Sequence, residues 1–478
     1  MINNKILKNI FSLSLAEFAA KGLVFFINAY LARTLGVEGY GTVATINSIL
    51  VYFLLVVNLG FHTVGIRTIA KFNSDTHNSN REKYVNNVVS LRILLAIISY
   101  GGLAVYALFI NDSTLFTVAL LIGGLQFFAE AFGLVWFYIG VERMEIVALR
   151  MIFVNSITLI CLFLFVKSPE DIPIYILIVS VSMLLNNLWL VILYAKQYAK
   201  IKLQIQFSYW KSLLKESATV AVIPLIATVM TTFSILFLAS FAGEYETGLF
   251  SAAFKLLMFC YIPAFVIQVS FSPTISKATT VEERINTTAK YSKILAILGA
   301  IVATTILFYP DVITVIVSGD KFLDSIPMLQ ILMLKCFIGY YNLSVSPVLL
   351  FWNLEKKSIY AHSIAVISFI GLNILLIQYY SGIGAAFAVL GAELILAISV
   401  SYFFYKEIKK LYISNFLKLL GIGLTSGIIG RIVLYLLDLQ NIYFQIIGIL
   451  ITLISFIFII LRLKIIKIED IKKLKIKN

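Results

Sequence analysis

Leu35-Gly36-Val37-Glu38-Gly39-Tyr40-Gly41-Thr42-Val43-Ala44 returns 207 positions later as Ala242-Gly243-Glu244-Tyr245-Glu246-Thr247-Gly248-Leu249-Phe250-Ser251-Ala252. Each copy sets two glycines five apart around an acidic turn that contains a tyrosine, and each then opens an apolar run. Self-similarity at a fixed offset marks an internal repeat. What the repeat means depends on the sequence around it.

That sequence is apolar almost throughout. Apolar residues fill 60% of the 478 positions, charged residues only 13%, and mean hydropathy is +0.97. Soluble domains carry about one quarter charged residues, so a globular reading fails. A hydrocarbon core about 30 Å thick needs about 20 helical residues per crossing. On that measure the chain divides into spans near 9–33, 41–70, 84–110, 114–139, 144–166 and 172–197. A second set lies near 217–241, 247–277, 288–309, 325–352, 357–380 and 383–405, and two more at 413–437 and 441–462. Glu17 and Lys21 interrupt the first run, so it reads as a span and not as a cleaved leader. Residues 309–325 read as the longest outer loop.

Six crossings separate the two glycine turns, so both copies keep the same orientation. The expected fold class is therefore an all-α polytopic membrane protein of about fourteen transmembrane helices. Its two six-helix lobes form a parallel pseudo-repeat, and two C-terminal helices follow. The domain boundaries are 1–197 for the first lobe and 217–405 for the second. Residues 198–216 read as an amphipathic interlobe linker, 406–462 as spans 13 and 14, and 463–478 as a basic cytoplasmic tail.

The net charge of +14 raises a nucleic-acid partner, but the placement of the charges excludes one. By the span assignment, about 28 Lys and Arg fall in one alternating set of loops and 3 in the other. That is a topology signal, and it puts both termini in the cytoplasm. Cys161, Cys260 and Cys336 sit inside apolar runs without metal-ligand spacing and read as packing residues. Phosphate-binding, nucleophile-elbow and metal motifs are absent, so no metal and no cofactor is expected and an enzyme is disfavoured. A secondary transporter or a facilitator fits better.

Charges inside spans are the informative residues, because each costs about 2.5–3.5 kcal/mol at a helix centre. They are Glu17, Lys21, Arg67, Arg92, Glu130, Arg150, Lys255, Lys335, Glu393 and Arg431. Glu17 and Lys21 stand four apart and can pair on one face. Arg67, Arg92 and Arg431 can snorkel to an interface. Glu130 and Glu393 are candidates for ion coupling or for charge pairing. Lys255 has no acidic residue within a turn along its own helix, and Lys21 lies near mid-span. Lys21 and Lys255, with Arg67 and Arg92, form the expected cationic set for an anionic substrate.

The duplicated glycine turn, the six-plus-six-plus-two helix pattern and the opening span Leu15-Ala16-Glu17-Phe18-Ala19-Ala20-Lys21-Gly22 resemble the polysaccharide flippases. These are the O-antigen and capsule repeat-unit transporters of the MOP superfamily, whose fold is MATE-like. The resemblance covers essentially the whole chain. It implies transport of an undecaprenyl-pyrophosphate-linked oligosaccharide from the inner to the outer leaflet of a bacterial cytoplasmic membrane by alternating access. It also implies a cationic cavity, membrane lipid as a partner, a polysaccharide polymerase machinery that takes the product and, for an anionic headgroup, a cycle helped by membrane potential, with or without H+ or Na+ coupling. Lys21 and Lys255 match the positions the resemblance implies on spans 1 and 8. On span 2 only His62 and Arg67 are candidates. A drug antiporter of the multidrug and toxin extrusion type, a lipid II flippase and a membrane-embedded polysaccharide polymerase are the alternatives.

Overall fold

The computed structural model describes the backbone of residues 4–72, 78–109, 113–352, 354–438, 441 and 444–465. It describes their side chains from residue 22 onward, except at 78, 148, 149 and 223. Glu17, Lys21, His77 and the tail beyond 465 lie outside the residues so described.

Within hydrocarbon every backbone N–H and C=O must be paired internally, which a helix does by itself. Accordingly the chain runs α1 (Asn4–Asn58), α2 (Phe61–Lys71), α3 (Asn78–Phe109), α4 (Thr114–Gly123), α5 (Leu125–Ala131), α6 (Val135–Gly140), α7 (Met144–Phe165), α8 (Ile172–Gln197) and α9 (Phe207–Cys260). It continues as α10 (Ile262–Ser276), α11 (Val281–Phe308), α12 (Pro310–Val317), α13 (Ile326–Phe351), α14 (Glu355–Ile408), α15 (Ile413–Leu436) and α16 (Gln445–Arg462). Among the described residues there is no strand. Eleven helical stretches among them are long and apolar enough to cross a membrane. Side chains such as Leu108, Ile367, Ile398 and Phe458 stand exposed on these stretches. An apolar surface of that extent belongs against lipid, not water.

Three of the stretches, Gly22–Lys71, Pro224–Ser276 and Glu355–Ile408, span 50 to 54 residues, about twice what one crossing needs. Each is broken inside. Gly36 takes φ 69, ψ −174 and Gly243 takes φ 82, ψ −178, while Ser381 takes φ 48, ψ −128. The first two occupy nearly the same conformation, one essentially reserved for glycine. They stand 207 positions apart (243 − 36), which is the offset of the sequence repeat.

The chain folds as two compact units, 1–248 and 249–478. In the first, α1 packs on α3 and α7, and α8 packs on α4, α5 and α7. Its core is aromatic, with Phe61, Tyr84, Trp136, Phe137 and Tyr194 buried together. The glycine turns meet within this unit. A side chain on Gly41 would overlap the Glu244 carbonyl, and one on Gly248 would overlap the Val37 carbonyl. The contacts are reciprocal, since 37 and 41 become 244 and 248 on adding 207. Residues 201–206 are non-helical and strapped along α3, the Lys202 N–H reaching Asn86 Oδ1 at 3.0 Å and the Gln204 N–H reaching Ser90 Oγ at 2.9 Å. From Phe207 the chain is already α9, with Trp210 and Leu213 buried in the first unit's core. The residues read as an amphipathic interlobe linker are thus a strap followed by the opening turns of a long helix.

In the second unit α13 packs on α11 and α14, and α15 packs on α11 and α16. Residues 309–325 are not the expected loop. Pro310, well placed at a helix start, opens α12, and Asp320–Ser325 forms a 3-10 turn. Tyr309 and Val312 pack there with Leu434, burial that turns a polar-looking connection into structure.

Two further spans differ from expectation. The second breaks at Leu59 and Gly60, both at positive φ (28° and 78°). The fourth is three short helices, α4 to α6, and not one. Both breaks leave carbonyls without helical partners, and one side chain collects them.

Candidate functional site

That side chain is Arg92, on the middle of α3 and 1% exposed. Its Nη2 lies 2.7 Å from Glu130 Oε1 and 3.5 Å from Asn58 Oδ1. Nη1 donates to the Gly133 carbonyl at 2.9 Å, and Nε reaches the Val57 carbonyl at 3.4 Å. Val57 and Asn58 close α1, and Gly133 sits in the gap between α5 and α6. A guanidinium presents five donors in a rigid fork, and helix C-termini favour a cation. Arg92 therefore does not snorkel, and its charge is not offered to a substrate in this conformation. It is a clamp on two helix breaks, neutralised by Glu130, whose side chain is 21% exposed.

In front of this clamp lies a cavity of about 580 Å³ bounded by Tyr52, Asn58, His62, Thr63 and Pro224, all in the first unit. His62 is exposed to it and lies within electrostatic reach of Arg92 and Glu130. Arg67 is also exposed on α2, but five residues from His62, so the two point to well-separated faces of the helix. The structure thus brings Arg92, Glu130 and His62 together and leaves Arg67 apart. Arg150, nearly buried, donates to the Asn186 carbonyl at 2.8 Å.

In the second unit Lys255 is half-buried on α9 among the buried Phe254, Leu256 and Leu257. Arg431 is held by the Phe308 carbonyl at 2.7 Å, Gln445 at 3.1 Å and Asp311 at 3.3 Å. Its guanidinium also stands 4.7 Å from the Tyr309 ring centroid. It is anchored to protein where the sequence suggested snorkelling.

The sequence signalled Lys335 and Glu393 only as two separate charges. The structure joins them at 3.0 Å, with side chains 11% and 10% exposed. Lys335 Nζ also donates to the Tyr261 hydroxyl at 3.0 Å and lies 4.7 Å over its ring. Asn342 donates its amide to Glu393 Oε1 at 2.5 Å and to the Glu393 carbonyl at 3.1 Å. Asn342, Gln268 and Tyr261 carry no sequence mark of their own, because uncharged polar residues cost too little in a span to stand out. The cluster opens on a pocket of about 370 Å³. A separate groove of about 500 Å³, bounded by Phe337, Leu394, Tyr402 and Phe416, is almost wholly apolar and suits hydrocarbon. Among the described residues no three His, Cys, Asp or Glu gather closely enough to hold a metal ion.

Residues 6–279, more than half of the chain, match a protein family described as polysaccharide biosynthesis protein. A putative O-antigen transporter of Shigella dysenteriae is 24% identical over 396 residues, covering 82% of this chain and 98% of the relative. Among solved structures, the lipid II flippase MurJ in an inward closed conformation superposes with a TM-score of 0.71. It shares 19% identity over 93% of this chain and 97% of its own. An inward-facing multidrug resistance MATE family transporter of the MOP superfamily gives a TM-score of 0.62 at 13% identity, covering 80% and 94%. At these identities the solved structures speak for the fold alone: an all-helical, multi-pass membrane architecture.

Proposed function

The chain belongs to the polysaccharide biosynthesis protein family, and on that premise we propose that it moves a lipid-linked oligosaccharide across a bacterial cytoplasmic membrane. The cargo is an undecaprenyl-pyrophosphate-linked repeat unit of O-antigen, capsule or a related polysaccharide. It travels from the inner to the outer leaflet and leaves for the polymerase machinery.

In this reading the eleven spanning stretches, three of them about twice the length of one crossing and turned at Gly36, Gly243 and Ser381, make 11 + 3 = 14 crossings with both termini cytoplasmic. Residues 1–197 and 217–405 are the two lobes, joined by 198–216. Residues 406–462 add the last pair, and 463–478 form the basic tail.

The observation that carries the reading is the reciprocal glycine crossing of Gly41 with Glu244 and Gly248 with Val37. Contacts that pair equivalent positions of two repeats obey a two-fold relation, as an isologous interface does. Backbones that meet without interlocking side chains can part and meet again at low cost. Alternating access requires a closure of that kind.

Charge supplies the drive. Lys21, His62 and Arg67 of the first copy and Lys255 of the second remain the candidates to meet the pyrophosphate, His62 and Arg67 from different faces of α2. Arg92 leaves this set for a structural role, and Glu130 and Glu393 are charge partners. An inside-negative potential favours outward movement of an anion by about 2.3 kcal/mol per charge per 100 mV.

The test is a proteoliposome assay with the undecaprenyl-pyrophosphate-linked repeat unit, following leaflet exposure of its sugar. The native protein should translocate it faster under an inside-negative potential. Lys255→Ala should slow transport about tenfold, the factor that about 1.4 kcal/mol of lost headgroup contact produces. Translocation no faster than in protein-free liposomes would overturn the proposal, all the more if the same vesicles moved organic cations or lipid II.

A further inference from the structure

The Lys335–Glu393 pocket has an uneven chemistry: two of its acceptors are buried with no protein partner. Asn342 is 4% exposed, and both partners of its Nδ2, a carboxylate and a carbonyl, can only accept. The amide orientation is therefore fixed, and Oδ1 is left buried with no partner. Gln268 Oε1, on α10, is likewise buried with no partner. His362 Nδ1 lies 2.8 Å from the Ser358 carbonyl, so Nδ1 carries the proton and Nε2 of the neutral ring is an acceptor. Two of the three Lys335 N–H groups go to Glu393 and Tyr261. All six residues line the one pocket of about 370 Å³, within the usual range of ~300–1,000 Å³ for small-ligand sites.

A buried acceptor left unpaired is costly, so two in one pocket point to a ligand that donates. A phosphate has few hydrogens to give and would meet the Glu393 carboxylate. A bare cation would meet the Lys335 ammonium 3.0 Å from the same carboxylate, and like charges repel at that range. A neutral ligand with several O–H or N–H donors satisfies every group. A sugar ring is such a ligand, and the Tyr261 ring beside the pocket offers it an apolar face.

We propose that Gln268, Asn342, His362 and Glu393 form a subsite of the second unit that binds a sugar ring of the cargo by its hydroxyl or amide hydrogens. Lys335 and Tyr261 hold the carboxylate in place. The assignment rests on the transport reading above and names the part of the molecule that reads carbohydrate and not pyrophosphate.

The experiment compares three probes on the purified full-length chain in nanodiscs. They are undecaprenyl pyrophosphate without sugar, the same lipid carrying the producing bacterium's repeat unit, and the free oligosaccharide released from it. The native chain should bind the sugar-bearing lipid about tenfold more tightly than the bare one. Gln268→Leu removes an acceptor with no internal partner, so folding should be retained. It should erase the sugar increment while leaving affinity for the bare lipid unchanged, and Asn342→Leu should do the same. An increment that survives in both variants overturns the subsite, as does an equal loss for both lipids. Sodium chloride that by itself stabilises the native chain, but not Gln268→Leu, overturns it in favour of a cation site. If the native chain binds neither lipid, the transport reading falls. The subsite then stands only if the free oligosaccharide binds in a Gln268-dependent way, and falls if it does not.

Discussion

Each unit of the molecule buries an ion pair within its spanning stretches, and the two are built for different ends. Arg92–Glu130 is wrapped: the arginine fork takes a carboxylate, two main-chain carbonyls and an amide oxygen from two chain segments. Lys335–Glu393 is open: a compact ammonium and a carboxylate sit at the wall of a pocket whose other acceptors have no protein partner. A desolvated charge has to be compensated somewhere. In the first unit compensation is complete within the protein, which fixes two broken helices in place. In the second it is left partly to whatever enters the pocket. Saturation marks the structural pair, and incompleteness marks the functional one.

Replacing one residue of each pair tests that contrast. Arg92→Leu strands Glu130 and the freed carbonyls of two helix breaks, and should cost about 3–5 kcal/mol. The loss would appear as a lower unfolding midpoint in mild detergent and less folded protein in the membrane. Lys335→Met leaves Glu393 with Asn342 and an open pocket, so the cost should be nearer 1–3 kcal/mol in the same unfolding assay. Equal losses would break the distinction between wrapped and open pairs. The smallest effect belongs to a site outside both pairs. Thr280 Oγ1 accepts the Glu283 N–H at 3.2 Å, and Glu283 Oε2 accepts the Thr280 N–H at 3.3 Å, a reciprocal cap on α11. Thr280→Ala should cost about 1 kcal/mol in that assay. It sets the scale of an exposed cap against which both buried pairs are read.

The comparison also explains which site residues were legible beforehand. Arg92, Glu130, Lys335 and Glu393 each stand out as a charge in an apolar run, so their importance is written in the sequence. Their partnerships are not. Arg92 and Glu130 are 38 positions apart, Lys335 and Glu393 are 58 apart (393 − 335), and no helical periodicity spans either gap. Hydropathy allows Arg92 to snorkel because rim and interior look alike along a single helix. Packing of α3 against the two breaks decided otherwise. Asn342 and Gln268 were silent, since an amide in a span becomes informative only when its neighbours are known.

By itself the sequence determined the class of molecule, the approximate spans and the repeat. These depend on local quantities: the length of apolar runs, the placement of lysines and arginines, and glycines at a fixed offset. It also marked Gly36 and Gly243 as a matched pair, which the backbone realises as nearly identical breaks. Tertiary structure alone decided where helices break within a span, that 309–325 folds as helix and turn, and which buried charges are sealed and which are open. The physical reason is range. Hydropathy and helix formation act over a few turns of one chain segment. Carbonyl capture and pocket formation depend on side chains from three or four segments, and only the folded chain brings those together.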